Sequence, residues 1–329
     1  MPSTLTAFLI GTVSIGIALL LGCLGETITE KSGHLNLGIP GIMSVGALGG
    51  LWGSSVFYGW FGENTIGIFL ILFSILTCAL FSLVMASIYN VLTVTLRSNQ
   101  NITGLMLTTF GTGITEFAMT NPDFINKSNV SAASVYFRNW LPFTSSLDGL
   151  TSLFFGRGIL VYIAIILALV AGFMIKRTRI GLNLRAVGEN PATADAAGVN
   201  VTVYRYVATS IGSAIAGLGG FYYIIDNLSG SVGSYPSIPS IGWLSIALVI
   251  FTMWRPTLSI LGSLIFGALY ILPTSISGFG VSLSLPQMKL FSLLPYIMTI
   301  IVLIIVSALD SKENQPPASL GLNYFREER

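Results

Sequence analysis

A succession of apolar runs, each about as long as a bilayer is thick, constrains this chain more than any other feature. A helix needs about 20 mostly apolar residues to cross the hydrocarbon core. Lipid admits only structures that satisfy their backbone polar groups internally. Runs of that kind, the shorter ones included, cover residues 4–25, 33–58, 64–96, 101–120, 158–175, 207–225, 241–254, 258–272 and 290–309. The expected fold is therefore all-α, a polytopic transmembrane helical bundle of about nine spans, with a range of roughly eight to ten. Pro40 and the many glycines of 33–58 predict an interrupted or kinked helix there. The run 64–96 is long enough to continue as helix past the membrane. Composition agrees: 9% of residues are charged, against about a quarter in a soluble domain.

Several chemistries are excluded. A net charge of +2 gives nucleic acid no electrostatic hold. Cys23 and Cys78 lie inside apolar runs and His34 is the single histidine, so no metal cluster or disulfide framework can be built. No Walker A pattern is present, and neither GxSxG nor HExxH occurs. The chain is expected to be no enzyme and to carry no cofactor of its own. The N-terminus lacks the basic region and cleavage site of a signal peptide, so the first run is expected to be retained as a helix.

Ionisable residues inside spans are costly and usually functional. Glu116 is the best candidate, near one end of 101–120, whereas Glu26 and Asp226 sit at span ends and read as interfacial caps. A span interior almost without charge argues against proton or sodium coupling, which uses midplane carboxylates. Uncharged polar residues are better represented. Thr103, Thr108, Thr109, Thr112 and Thr115 share one segment with Gly104, Gly111 and Gly113, and Asn36, Pro40 and Ser44 fall in the second run. Taken singly, each threonine is more simply interhelical packing. The segment as a whole reads as the wall of a pathway for an uncharged, hydrogen-bonding solute, with Asn36, Pro40, Ser44, Thr108, Thr109, Thr112 and Glu116 as its candidates. The small-residue run GSAIAGLGG at 212–220 predicts close helix approach.

The polar stretch 176–205 interrupts the apolar pattern with Lys176, Arg177, Arg179, Arg185 and Arg205. At its centre lies a short helix with its own punctuation. Asn190 is a natural N-cap, Pro191 is tolerated at the first helical position, and Gly198 supplies a left-handed stop. Ala192, Ala194, Ala196 and Ala197 favour the helix between them. Such a helix buries too little to stand alone, so its exposed side predicts a docking partner. Arg185, Glu189 and Asp195 are the charged members of this central loop. The excess of Lys and Arg puts this stretch in the cytoplasm. Alternation then places the tail 310–329 inside, the N-terminus and the long polar loop 121–156 outside, and residues 1–329 in one transmembrane domain.

GLNLRAVGENPATADAAGVNV at 181–201 closely resembles the cytoplasmic coupling loop of bacterial ABC-importer permeases, in the branch serving nucleosides and simple sugars. ITEKSGHLNLGIPGIMSVGALGG at 28–50 resembles the N-terminal motif of that branch, and the resemblance spans nearly the whole chain. It implies a permease subunit in the bacterial cell membrane that pairs with a second, related permease, an ABC ATPase that binds ATP and magnesium, and an extracytoplasmic binding lipoprotein. Residue by residue, it puts Asn190, Pro191, Ala192, Asp195, Ala196 and Gly198 in the ATPase groove, flanked by Arg185 and Glu189. The chain departs from the family at Ile39–Pro40, where an acidic residue without proline is common. The expected function is nucleoside import driven by the ATPase. A sugar or branched-chain amino-acid permease is the first alternative, and a stand-alone carrier or facilitator is the second.

Overall fold

A computed structural model describes residues 4–140, 158–280, 284–308 and 315–325. Every regular element among them is helical. Three long helices form the centre: α1 (Thr4–Glu30), α2 (Ile39–Phe61) and, much later in the chain, one spanning Val201–Tyr222. Between them come α3 (Gly67–Asn90), α4 (Gln100–Thr120), α5 (Lys127–Arg138), α6 (Ile159–Arg177), α7 (Arg179–Glu189) and α8 (Pro191–Ala196). The helix Val201–Tyr222 is therefore α9, followed by α10 (Ile238–Phe251), α11 (Pro256–Ser275), α12 (Leu285–Phe291) and α13 (Leu294–Ala308).

Among the described residues, eight helical stretches are long and apolar enough to cross a membrane. They contain α1, α2, α3, α6, α9, α10 and α11, and the eighth runs Leu285–Ile305. The 21-residue α4 has the length of a span but is diluted by threonine and glycine, and is not one of the eight.

Backbone proximity explains the glycines of the central helices. A Cβ on Gly212 would lie 2.3 Å from the Gly25 carbonyl oxygen, and one on Gly217 3.2 Å from Gly46 Cα. Thus α9 crosses α1 at Gly25 and α2 at Gly46, where any side chain would force the helices apart. In lipid, where burial of apolar surface between helices adds little, such close packing carries the association.

The structure corrects the sequence reading in several places. Pro40 does not interrupt a helix. It occupies the first turn of α2, where proline lacks nothing a helix needs. The first helix outruns the apolar run 4–25, since α1 continues to Glu30. The loop at 121–156 contains α5, capped by Asn126, whose Val130, Ala133 and Phe137 are buried; its residues 141–156 lie outside the described part. Pro256 opens α11, which begins before the run 258–272 and continues past it through Pro273. The last apolar run breaks between Phe291 and Leu294. Most of 176–205 is helical, because α6 extends to Arg177 and α7 precedes the short helix. Arg205, read as a loop cation, is buried in α9.

Candidate functional site

Two neighbourhoods hold the residues singled out above. The first is α4. Its inner face meets α2 and the link before it. The Thr108 hydroxyl donates to the Leu37 carbonyl at 2.8 Å, and a Cβ on Gly111 would lie 2.7 Å from the Gly41 carbonyl oxygen. Its outer face is exposed and mixed, with Thr109, Gly113 and Glu116 among Met106, Phe110 and Phe117. Thr109 and Thr112 donate to carbonyls of their own helix, Leu105 and Thr108, at 3.2 and 2.9 Å, so their acceptor lone pairs remain open to a solute.

One end of that face borders a cavity of about 210 Å³ lined by Ser44, Thr112, Thr115, Glu116, Tyr235, Pro236 and, in the first turn of α10, Pro239. Three of the expected pathway residues, Ser44, Thr112 and Glu116, therefore meet. The other four do not. Asn36 is buried and accepts from the Gly38 amide at 2.9 Å, fixing the turn into α2. Pro40 packs under Gly242, where an added Cβ would lie 2.5 Å from its Cα. Thr108 serves packing, and Thr109 faces outward away from the cavity lining. Tyr235 is the residue that sequence reading missed. It lies in a Gly/Ser/Pro-rich segment whose composition signals only a loop.

Glu26, read as an interfacial cap, is not one, and Glu30 one turn on shares its setting. Both are buried at the end of α1. Glu26 accepts from the Asn36 amide at 2.9 Å, and Glu30 accepts from the Trp254 indole N–H. Together they fasten the link into α2 and the α10–α11 turn to one helix end. That turn holds Met253 and Trp254 at φ 53° and 55°, a left-handed conformation uncommon for bulky side chains. The Glu30–Trp254 contact keeps Trp254 in it. Nearby, His34 is buried between Thr209 and Thr93, with each ring nitrogen 2.8 Å from a hydroxyl. Burial, reinforced by the Arg205 charge, depresses its pKa to about 3 and keeps it neutral. Burial also lowers the Lys31 pKa, opposed by Glu189. Asp226 is half-buried against Gly158.

The second neighbourhood is α8. Asn190 Oδ1 accepts from the Thr193 amide at 3.0 Å, Pro191 follows at the first helical position, and Gly198 has φ 84°. A Cβ built at Gly198 would meet nothing within 4 Å, so its conformation and not crowding demands glycine. The short helix rests on the bundle through Ala194, which packs with Val187 and Val201. Arg185, Glu189, Ala192, Ala196 and Gly198 are exposed and Pro191 is half-buried. They form a shallow, small-residue surface with two opposite charges beside it. Asp195 is half-buried, and its carboxylate accepts from the Tyr324 hydroxyl at 2.8 Å. Sequence reading missed this contact, because 129 residues separate the partners.

Among the described residues no group of three or more His, Cys, Asp or Glu side chains could hold a metal. The arrangement offers a partly exposed polar helix face in one neighbourhood and a shallow, exposed surface of small residues in the other.

Residues 8–303 match the family model described as "Branched-chain amino acid transport system / permease component". The nucleoside ABC transporter permease protein NupC of Lactococcus lactis subsp. cremoris is 32% identical over 94% of this chain and 93% of its own length. A Haloferax volcanii permease whose name carries a provisional glucose ABC transporter assignment is 32% identical over 96% of each chain. The guanosine ABC transporter permease protein NupQ of Bacillus subtilis is 27% identical over 97% of this chain and 96% of its own. No solved structure matches.

Proposed function

The chain belongs to the family of branched-chain amino acid transport system permease components, and from that premise we propose that it imports nucleosides as one of a pair of permeases driven by a separate ATPase. As an ABC permease it is a multi-pass membrane transport subunit, and its partners include an ATPase and a binding protein. The finer reading concerns solute and mechanism. One observation carries it: α4 is long enough to span, yet presents Thr109, Gly113 and Glu116 on an exposed face. Such a face is costly against lipid and suits a water-lined pathway closed by a second permease.

A nucleoside fits the cavity at the end of that face. Tyr235 offers an aromatic surface for a base, while Ser44, Thr112 and Glu116 offer hydrogen bonds to a sugar or base edge. The names of two full-length relatives, for nucleosides and guanosine, support this. The α8 surface, with Asn190, Pro191, Ala192, Ala196 and Gly198, is the docking face for the ATPase, with Arg185 and Glu189 at its rim. ATP binding by the partner then shifts the bundle between outward- and inward-facing packings. In this orientation the α8 face and the C-terminus are cytoplasmic and the N-terminus is outside. Residues 1–329 work as one domain, with 176–205 as its coupling segment and 310–329 as its tail.

A simple sugar is the second reading, favoured by the relative named for glucose at the same 32% identity. Uptake of labelled guanosine and labelled glucose by cells with and without the chain separates the two. Loss of ATP-dependent guanosine uptake alone is expected. Loss of glucose uptake alone overturns the nucleoside reading, and uptake that survives ATP depletion overturns the importer reading. Affinity purification from native membranes should recover a Walker A ATPase and a related permease with the chain.

A further inference from the structure

The described part of the C-terminal tail, residues 315–325, lies across the face that carries α8. Its contacts fall into two sets. On the α7–α8 side, the Ser319 amide and hydroxyl both donate to the Gly188 carbonyl, at 3.0 and 2.6 Å, and the Tyr324 hydroxyl donates to Asp195 at 2.8 Å. On the α4 side, Gln100, the first residue of α4, donates through Nε2 to Asn323 Oδ1 at 3.2 Å. Asn323 in turn donates to the Arg97 carbonyl at 2.7 Å. The Arg97 guanidinium sits 4.8 Å from the Phe325 ring centroid. Between the two sets, the Gly321 amide donates to the Gly33 carbonyl at 3.3 Å and the Leu322 carbonyl accepts from the buried Arg205 at 3.2 Å.

The two sets end on the two neighbourhoods of the candidate site. The short α8 is seated on α7 and the start of α9, whereas α4 is seated mainly on α2 and the link before it. Gln100 is the turning point. Its side chain holds the tail through Nε2 and accepts from the Leu35 amide through Oε1 at 2.9 Å, so a pull on the tail reaches both the root of α4 and the entry to α2. Six residues, from Ser319 to Tyr324, thus form a hydrogen-bonded strap that opens with a turn, in which the Leu322 amide donates to the Ser319 carbonyl at 3.0 Å, and runs on through Asn323 to Tyr324.

We propose that this strap is a mechanical relay in which Ser319, Asn323 and Tyr324 act as positioning residues that transmit displacement of α8 to the root of α4. The proposal rests on the reading of α8 as the ATPase docking face and of α4 as the pathway wall. Movement of α8 drags Tyr324 through Asp195, and the tail passes the movement to Gln100 and Arg97. The relay needs no change in the solute site itself, and its hydrogen bonds couple the two helices only while both ends hold.

The test uses the complete transporter in proteoliposomes and measures ATP hydrolysed and solute imported in the same sample. The wild type tests the underlying reading: import that requires the ATPase upholds it, whatever the strap does. The double variant Ser319→Ala/Tyr324→Phe removes both hydroxyl bonds of the α7–α8 end and leaves there only the Ser319 amide bond to Gly188 among those named above. It should keep hydrolysis while solute moved per ATP falls about fivefold or more, the scale of typical coupling energies. Asn323→Ala removes the Asn323 bonds to Gln100 and Arg97 at the other end and should give the same uncoupling, so it serves if the double variant does not assemble. Combining all three should add nothing further, because one linkage is cut twice. A merely structural role would lower hydrolysis and import together, with their ratio unchanged. That result, or additive effects at the two ends, overturns the relay.

Discussion

Helices α4 and α9 have nearly equal lengths, 21 and 22 residues, and share a vocabulary of glycine, threonine and small residues. They use it in opposite ways. Along α9 the small residues are consumed by contact: Gly212 meets Gly25, Gly217 meets Gly46, and Thr209 holds His34. Along α4 several of them are left over. Gly104 and Gly111 receive α2 and its link, but Gly113 has open space around it and Thr109 and Glu116 are exposed. The same composition makes packing glue when both sides of a helix are occupied and a polar wall when one side is not.

The sharpest way to break this contrast is to add bulk at a crossing. Gly212→Leu places its first carbon 2.3 Å from the Gly25 carbonyl oxygen, and the backbone on both sides cannot yield. Overpacking of this kind costs about 3 kcal/mol or more. Monodisperse protein in detergent should largely disappear, as read by size-exclusion chromatography.

A smaller effect on the α9 side comes from His34. Its folded pKa of about 3 lies below the ordinary value of 6.5, so the unfolded chain binds a proton first as pH falls. Stability is fully present above about pH 6.5 and declines as pH drops towards 3, by about 1.4 kcal/mol at pH 5.5. His34→Gln should flatten that part of the melting-temperature profile. An unchanged slope would mean that other groups set it.

On the α4 side, Gly113→Ala meets nothing within 4 Å. It should raise stability by roughly 0.5–1 kcal/mol through helix propensity alone, a gain in melting temperature where the same change at Gly212 gives a loss. The smallest stability effect belongs to Glu116→Gln combined with Thr112→Val, within about 0.5 kcal/mol for a site without tight packing. Uptake should nonetheless fall severalfold. Stability loss without a transport effect would return α4 to the packing class and erase the contrast with α9.

Legibility followed the range of the interactions. The helix at 191–196 could be read residue by residue, because a cap, an N-terminal proline and a left-handed glycine act within one or two turns. The membrane-crossing segments were accessible in outline, about nine apolar runs against eight spans among the described residues, since bilayer thickness imposes such runs on any chain. Of the pathway candidates, Ser44, Thr112 and Glu116 came together while Asn36, Pro40 and Thr108 turned inward. Residue type marks a threonine as able to line or to pack but does not say which face of its helix is covered.

By itself, then, the amino-acid sequence determined the all-helical membrane architecture, the short capped helix and the glycine-rich surfaces that let backbones meet. Each of these follows from hydrophobicity or from backbone preferences over a few neighbouring residues. Only the tertiary structure decided that Glu26 and Glu30 are buried anchors, that Arg205 lies inside α9, that Tyr235 joins the α4 cavity, and that the tail ties Gly188 and Asp195 to Gln100. Those outcomes depend on which surfaces remain after the helices have packed. Pairs separated by more than a hundred residues, such as Asp195 and Tyr324, leave no trace in local spacing.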